Sequence, residues 1–105
     1  MSAQDVIKEQ VTSNRVVLYM KGTPDFPQCG FSANAVGILR ACGMERFHSV
    51  NVLENPDIRQ GIKEYANWPT IPQLYVNGEF IGGSDIMIEL YQSGELKKML
   101  EKTAA

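Results

Sequence analysis

The dipeptide Asn77-Gly78 constrains this chain more than any other feature. It lies between two short strand-like runs, Gln73-Leu74-Tyr75-Val76 and Glu79-Phe80-Ile81. Asn-Gly is the strongest two-residue hairpin signal, because both residues tolerate the positive φ that a tight turn requires. The last two strands are therefore antiparallel neighbours. Upstream, Val16-Val17-Leu18-Tyr19-Met20 has strand length and β-branched content, and Phe47–Val52 alternates. A helical pattern separates these two runs. Strands joined through a helix pair in parallel, with a right-handed crossover. The element order is α, β, α, β, α, β, β, α, α. It predicts an α/β fold with a four-stranded mixed sheet, helices on both faces and one core. A length of 105 residues suits a single domain over 1–105.

Local signals set the boundaries. Ser2-Ala3-Gln4-Asp5 is a capping box opening a helix with Val6, Ile7 and Val11 on one face, and Thr12-Ser13-Asn14 ends it. Gly43 stops the second helix. Asn55-Pro56-Asp57 starts a third, with Ile58, Ile62, Tyr65 and Ala66 facing inward and Arg59 and Lys63 outward. Asn67–Pro72 breaks it with two prolines. Gly82-Gly83-Ser84-Asp85 closes the second hairpin strand and caps a helix whose inner residues are Ile86, Leu90 and Tyr91. After Gly94 a last helix carries Leu96, Met99 and Leu100.

Cys29 falls where a loop becomes a helix. Phe31, Ala35, Ile38, Leu39 and Cys42 recur at i, i+4, i+7, i+8 and i+11, one face of a helix. Pro24 and Pro27 keep regular structure out of the loop before them. The first turn of a helix carries unpaired N–H groups and partial positive charge. Thiol pKa values fall there from ~8.5 towards ~3.5–7.5. Lys21, at the start of the loop, can add a cation. The thiolate is both nucleophile and metal ligand, so either role is open, as is that of an inert small apolar residue.

Charge and cysteine usage exclude several classes. A net charge of −2 with no basic run does not indicate nucleic-acid binding. No apolar run approaches the ~18 residues of a membrane span, and Met1–Asp5 does not have the make-up of a secretory signal. Cys42 lies about three and a half helical turns beyond Cys29, roughly 20 Å at ~1.5 Å per residue. A disulfide requires Cα atoms within ~7 Å, so the two cysteines cannot pair without unfolding the helix. That usage fits a reducing compartment.

Four motifs in order, Lys21-Gly22-Thr23-Pro24, Cys29-Gly30-Phe31-Ser32, Trp68-Pro69-Thr70-Ile71-Pro72-Gln73 and Gly82-Gly83-Ser84-Asp85, resemble the monothiol glutaredoxins of the Cys-Gly-Phe-Ser type. The resemblance runs from Val6 to about Leu100 and is to the short, single-domain bacterial and mitochondrial class. It implies a thioredoxin-like (glutaredoxin) fold and binding of glutathione. It also implies a [2Fe-2S] cluster held between two protomers and passed to apo iron–sulfur recipients, and pairing with a BolA-type protein. On this resemblance Lys21 and Arg59 each meet a glutathione carboxylate. Ile71 pairs through its backbone with the glutathione cysteine, and a cis Pro72 keeps that segment turned towards Cys29. Ser84 and the helix start receive the γ-glutamyl carboxylate, and Asp85 accepts from its amino group. For Lys21 and Arg59 the plain alternative is a solvated surface charge; for Ser84 and Asp85 it is an N-cap. Trp68 serves packing or recognition. Many relatives have Cys where this chain has Ser84, so a disulfide from that position to Cys29 is removed here.

Two expectations about mechanism follow. Self-contained dithiol reduction requires a resolving thiol, and three residues after Cys29 stands Ser32, so disulfide chemistry must end with an external thiol. A [2Fe-2S] centre takes four thiolates; one chain offers Cys29, two chains offer two, and glutathione supplies the rest in the family. This predicts a homodimer when loaded and a monomer when apo. Zinc lacks ligands here, since His48 is the single histidine and reads as an ordinary strand residue. The alternatives are a weak glutathione-dependent monothiol oxidoreductase acting in protein deglutathionylation, and a redox-insensitive module for a BolA-like partner. The expected location is cytoplasmic in a bacterium, or the mitochondrial matrix if a transit peptide is removed.

Overall fold

The apolar run at residues 16–20 becomes the central strand. In the computed structural model, which describes residues 1–103, β1 (Val16–Met20) is buried along its whole length. It pairs in parallel with β2 (His48–Asn51) and antiparallel with β3 (Gln73–Val76); β3 pairs antiparallel with β4 (Glu79–Gly82). The order is β2-β1-β3-β4, and the sheet is mixed as the hairpin and crossover signals predict. Asn77 and Gly78 both take positive φ, 52° and 82°, as a two-residue turn of this hand demands. The last two residues of the expected 1–105 span lie outside the described ones.

Five helices flank the sheet: α1 (Ala3–Ser13), α2 (Gly30–Ala41), α3 (Pro56–Ala66), α4 (Ser84–Ser93) and α5 (Glu95–Thr103). Both bonds of the Ser2 capping box form: Asp5 N–H donates to Ser2 Oγ at 3.2 Å and Ser2 N–H to Asp5 Oδ2 at 3.1 Å. Asn55 Oδ1 caps α3 by accepting from Asp57 and Ile58 N–H.

The pleat of β1 sorts the interior into two layers rather than the single core expected. Val16, Leu18 and Met20 point to one face and join Leu74, Val76, α2 (Ala35, Val36, Leu39), Met87 of α4, and Leu96 and Leu100 of α5. Val17 and Tyr19 point to the other and join Tyr75, Ile7 and Val11 of α1, and Ile58 and Ile62 of α3. A sheet with helices on both faces must bury both faces, so it divides its core.

Three aromatics expected inside are outside. Phe31 is 63% exposed, because the inner face of α2 is Ser32, Ala35, Val36 and Leu39, a phase led by a polar residue that apolar spacing does not register. Tyr65 sits at the margin of α3, whose inner residues are Ile58, Gly61 and Ile62; its ring meets Tyr75 with centroids 6.1 Å apart. Tyr91 is exposed, and Met87 is the buried residue of α4.

Candidate functional site

The site is built from the loop after β1, the start of α2, the outward face of α3, the segment before β3 and the start of α4. Gly22 opens the first of these. Its φ is +90°, and a Cβ there would come within 2.5 Å of the Phe26 carbonyl oxygen, so the turn requires glycine. Thr23 and Phe26 exchange backbone hydrogen bonds at 3.2 and 3.0 Å, and Gln28 N–H donates to Lys21 C=O at 2.8 Å. Arg40 Nη2 donates to Asp25 Oδ1 at 3.1 Å, tying the loop to α2. The loop is thus a closed hairpin-like turn, with Phe26 exposed at its tip.

Cys29 is the N-cap of α2, where the sequence places it. Its half-buried sulfur accepts from Ser32 N–H at 3.3 Å and lies 3.5 Å from Ser32 Oγ. The Ser32 hydroxyl is itself buried and accepts from Lys21 N–H at 3.0 Å. With that lone pair occupied, its proton is available to a thiolate. Burial pushes the Cys29 thiol up, but the Ser32 hydroxyl and N–H, the Phe31 N–H and the Lys21 cation outweigh it, and the pKa lies below the ordinary thiol value. Cys42, buried at the far end of α2, is pushed up by desolvation, with Lys97 acting the other way.

Beside the thiol lies a cleft of about 400 Å³. Of the residues expected to bind, Lys21, Arg59, Ile71, Ser84 and Asp85 all line it. Cys29 is not in the lining, but Lys21, close enough to depress its pKa, and Phe31, two residues on, both are. Lys63, one turn beyond Arg59 on α3, adds a third cation; sequence reasoning gave it no role, although its i, i+4 spacing from Arg59 puts the two on one face. Ile71 is itself buried, in the layer that holds the α1 and α3 residues. The Ile71-Pro72 bond is cis, as expected.

The wall before β3 is held by a residue the sequence did not single out. Gln73 is fully buried; its Nε2 donates to the Trp68 and Thr70 carbonyls, each at 3.2 Å, and its Oε1 accepts from Tyr75 O–H at 3.1 Å. Two atoms of the wall lack partners: Trp68 Nε1 and Ser84 Oγ are buried and unbonded. Helix α4 has Gly83 as its N-cap, so no side chain caps its first-turn N–H groups. A lining of three cations, a helix N-terminus, one carboxylate and apolar Trp68, Pro69 and Pro72 suits a small molecule that carries carboxylates. Among the described residues no three His, Cys, Asp or Glu side chains gather to hold a metal ion. No described helix is long and apolar enough to cross a membrane.

Known proteins resemble this chain over most of its length. The glutaredoxin family profile matches residues 16–81. A Synechocystis sp. protein named "Uncharacterized monothiol glutaredoxin ycf64-like" is 63% identical over 99 residues, covering 94% of this chain and 92% of its own. Glutaredoxin 4 of Escherichia coli K12 is 58% identical over 99 residues, covering 94% of this chain and 85% of its own. The solution structure of reduced poplar apo GrxS14 superposes with a TM-score of 0.82 at 55% identity, covering 96% of this chain and 92% of that one.

Proposed function

The chain belongs to the glutaredoxin family, with monothiol relatives across nearly its whole length, and from that premise we propose that it is a glutathione-dependent carrier of [2Fe-2S] clusters, a single domain over 1–105. The cluster is its cargo, delivered to apo iron–sulfur proteins. The observation that carries this is the pair Cys29 and Ser32: a thiolate stabilised at a helix start, with a buried hydroxyl where a second thiol would make a dithiol reductase.

In this proposal Lys21 and Arg59 bind carboxylates of glutathione, and the Ile71 backbone aligns its peptide. Ser84 with the free N–H groups of α4 takes the γ-glutamyl carboxylate, and Asp85 its amino group. The cleft supports that fit through its cations, its uncapped helix and the unpartnered Ser84 Oγ. Cys29 gives one thiolate per protomer, so a four-thiolate site needs a second copy of the chain and two glutathione thiols. The loaded form is a homodimer and the apo form a monomer. Partners are apo recipients and a BolA-type protein. The bacterial relatives favour the cytoplasm over the mitochondrial matrix.

The depressed thiol pKa also favours a second activity, weaker in this proposal. The Cys29 thiolate attacks the glutathione sulfur of a glutathionylated protein and releases the protein thiolate. A second glutathione thiolate then attacks the Cys29–glutathione disulfide, freeing oxidised glutathione and Cys29.

Anaerobic reconstitution with iron, sulfide and glutathione separates the two. A carrier becomes coloured and dimeric, and Cys29→Ser stays colourless. A coloured dimer of Cys29→Ser removes Cys29 as ligand. A colourless, monomeric wild type that rapidly reduces a glutathione mixed disulfide is an oxidoreductase instead.

A further inference from the structure

We propose that Trp68 is a further binding residue of the cleft: its indole N–H donates to the carboxylate that docks at the start of α4. That carboxylate is the γ-glutamyl one on the function proposed above, on which this role rests. The chain has a single tryptophan. Trp68 lines the cleft, yet its Nε1 is closed to solvent and has no hydrogen-bond partner among the described residues. An indole N–H can only donate, and buried donors are ordinarily paired, so this one is matched to an acceptor that comes from outside.

Gly83 places that donor. Its φ of −94° and ψ of −162° are extended backbone open to any residue, so the glycine is there for space. A Cβ on it would stand 3.0 Å from Trp68 Nε1 and 3.3 Å from the Pro72 carbonyl oxygen. The indole nitrogen is therefore packed against the N-cap of α4. Ser84, the next residue, holds the second buried and unpartnered polar atom of the wall, its Oγ. An indole N–H, a hydroxyl and the uncapped first-turn N–H groups thus stand at one helix start, and each can donate to a carboxylate.

The rest of Trp68 is tied down. Its backbone N–H donates to Lys63 C=O at 2.9 Å, and its own carbonyl accepts from Gln73 Nε2 at 3.2 Å. Its ring lies against Phe80, with centroids 5.5 Å apart, and Phe80 lies against Tyr75 at 5.4 Å. With the main chain held on both sides, the N–H meets a ligand through a small turn of the indole over Phe80 rather than through movement of the loop.

A tryptophan that only packs would not distinguish ligands by the charges they carry. One tryptophan gives one indole cross-peak in a nitrogen–proton correlation spectrum, so the N–H is read directly. Reduced glutathione is expected to move that peak downfield. γ-Aminobutyryl-cysteinylglycine, which is glutathione without its γ-glutamyl carboxylate, is expected to leave it in place when bound. An indole peak that stays put while glutathione shifts the Lys21 and Ser84 amides overturns the proposal and leaves the glutathione reading standing. A peak that moves alike with both compounds does the same. A spectrum that glutathione leaves unchanged throughout overturns both. Trp68→Phe keeps a ring on Phe80 and removes the donor. It is expected to bind glutathione about 10-fold more weakly, as loss of one hydrogen bond to a charged group predicts. Its affinity for the carboxylate-free analogue should stay within ~2-fold of the wild type. Equal losses for both compounds would leave Trp68 with packing alone and overturn the proposal. Should Trp68→Phe fail to fold, the wild-type indole peak decides.

Discussion

Cys29 and Ser32 form the smallest unit with chemical character in this protein. The Ser32 side chain is fully buried, accepts from the Lys21 backbone and faces the sulfur. Ser32→Ala removes the hydroxyl and keeps the N–H bond, so the Cys29 pKa is expected to rise towards the ordinary thiol value while staying below it. The absorbance of the thiolate near 240 nm as a function of pH measures this. The same depression links the thiol to stability. Cys29 has a lower pKa folded than unfolded, so its contribution is complete above the unfolded thiol pKa and is lost as pH falls through the folded one. The urea midpoint of the wild type should rise relative to that of Cys29→Ser across that window; parallel midpoints would show that the fold does not favour the thiolate. Cys29 as a helix-start thiol was legible in the sequence, since prolines, a change of period and one cysteine mark it. The role of Ser32 as an inner-face residue was not, because hydrophobic periodicity counts only apolar positions, and this phase error placed Phe31 inside.

Elements whose ends carry side-chain signals formed where the sequence put them: the capping box of α1, the Asn55 cap of α3 and the Asn-Gly turn. Ser2→Ala should cost about 1 kcal/mol of stability in urea unfolding. Faces of helices were harder to read, since Tyr65 and Tyr91 satisfy the spacing but lie at the rim, and a tyrosine can keep its ring on apolar neighbours with its hydroxyl in water. Gln73 escaped notice because a glutamine in a strand looks solvent-facing until its three partners are known. Gln73→Leu strands the Trp68 and Thr70 carbonyls and the Tyr75 hydroxyl. It should cost about 2 kcal/mol or more, since a buried polar group left unpaired costs roughly 1–3 kcal/mol. It should also loosen the cleft wall, seen as weaker glutathione binding. A variant as stable as the wild type would mean that the network is replaced by water.

Across the whole molecule, the sheet separates two packed layers that share strands but few side-chain contacts. Ile7 lies in one and Leu39 in the other, both fully buried. Ile7→Val is expected to cost about 1 kcal/mol and Leu39→Ala about 2–5 kcal/mol. Their sum should predict the double variant within ~0.5 kcal/mol in denaturant unfolding, and a larger deviation would reveal coupling through β1. The division into layers follows from burying both faces of one sheet, which the order of elements already implies, whereas the cleft joins five separate segments whose meeting no local pattern records. At this scale the spacing of the cysteines acquires a further meaning. Cys29 and Cys42 stand at opposite ends of α2, and a buried hydroxyl occupies the place beside the reactive sulfur. An oxidised Cys29 therefore has no way back within its own chain. On the second activity proposed above, its redox state would be borrowed from the small thiols around it, each molecule a passive gauge of the surrounding thiol pool.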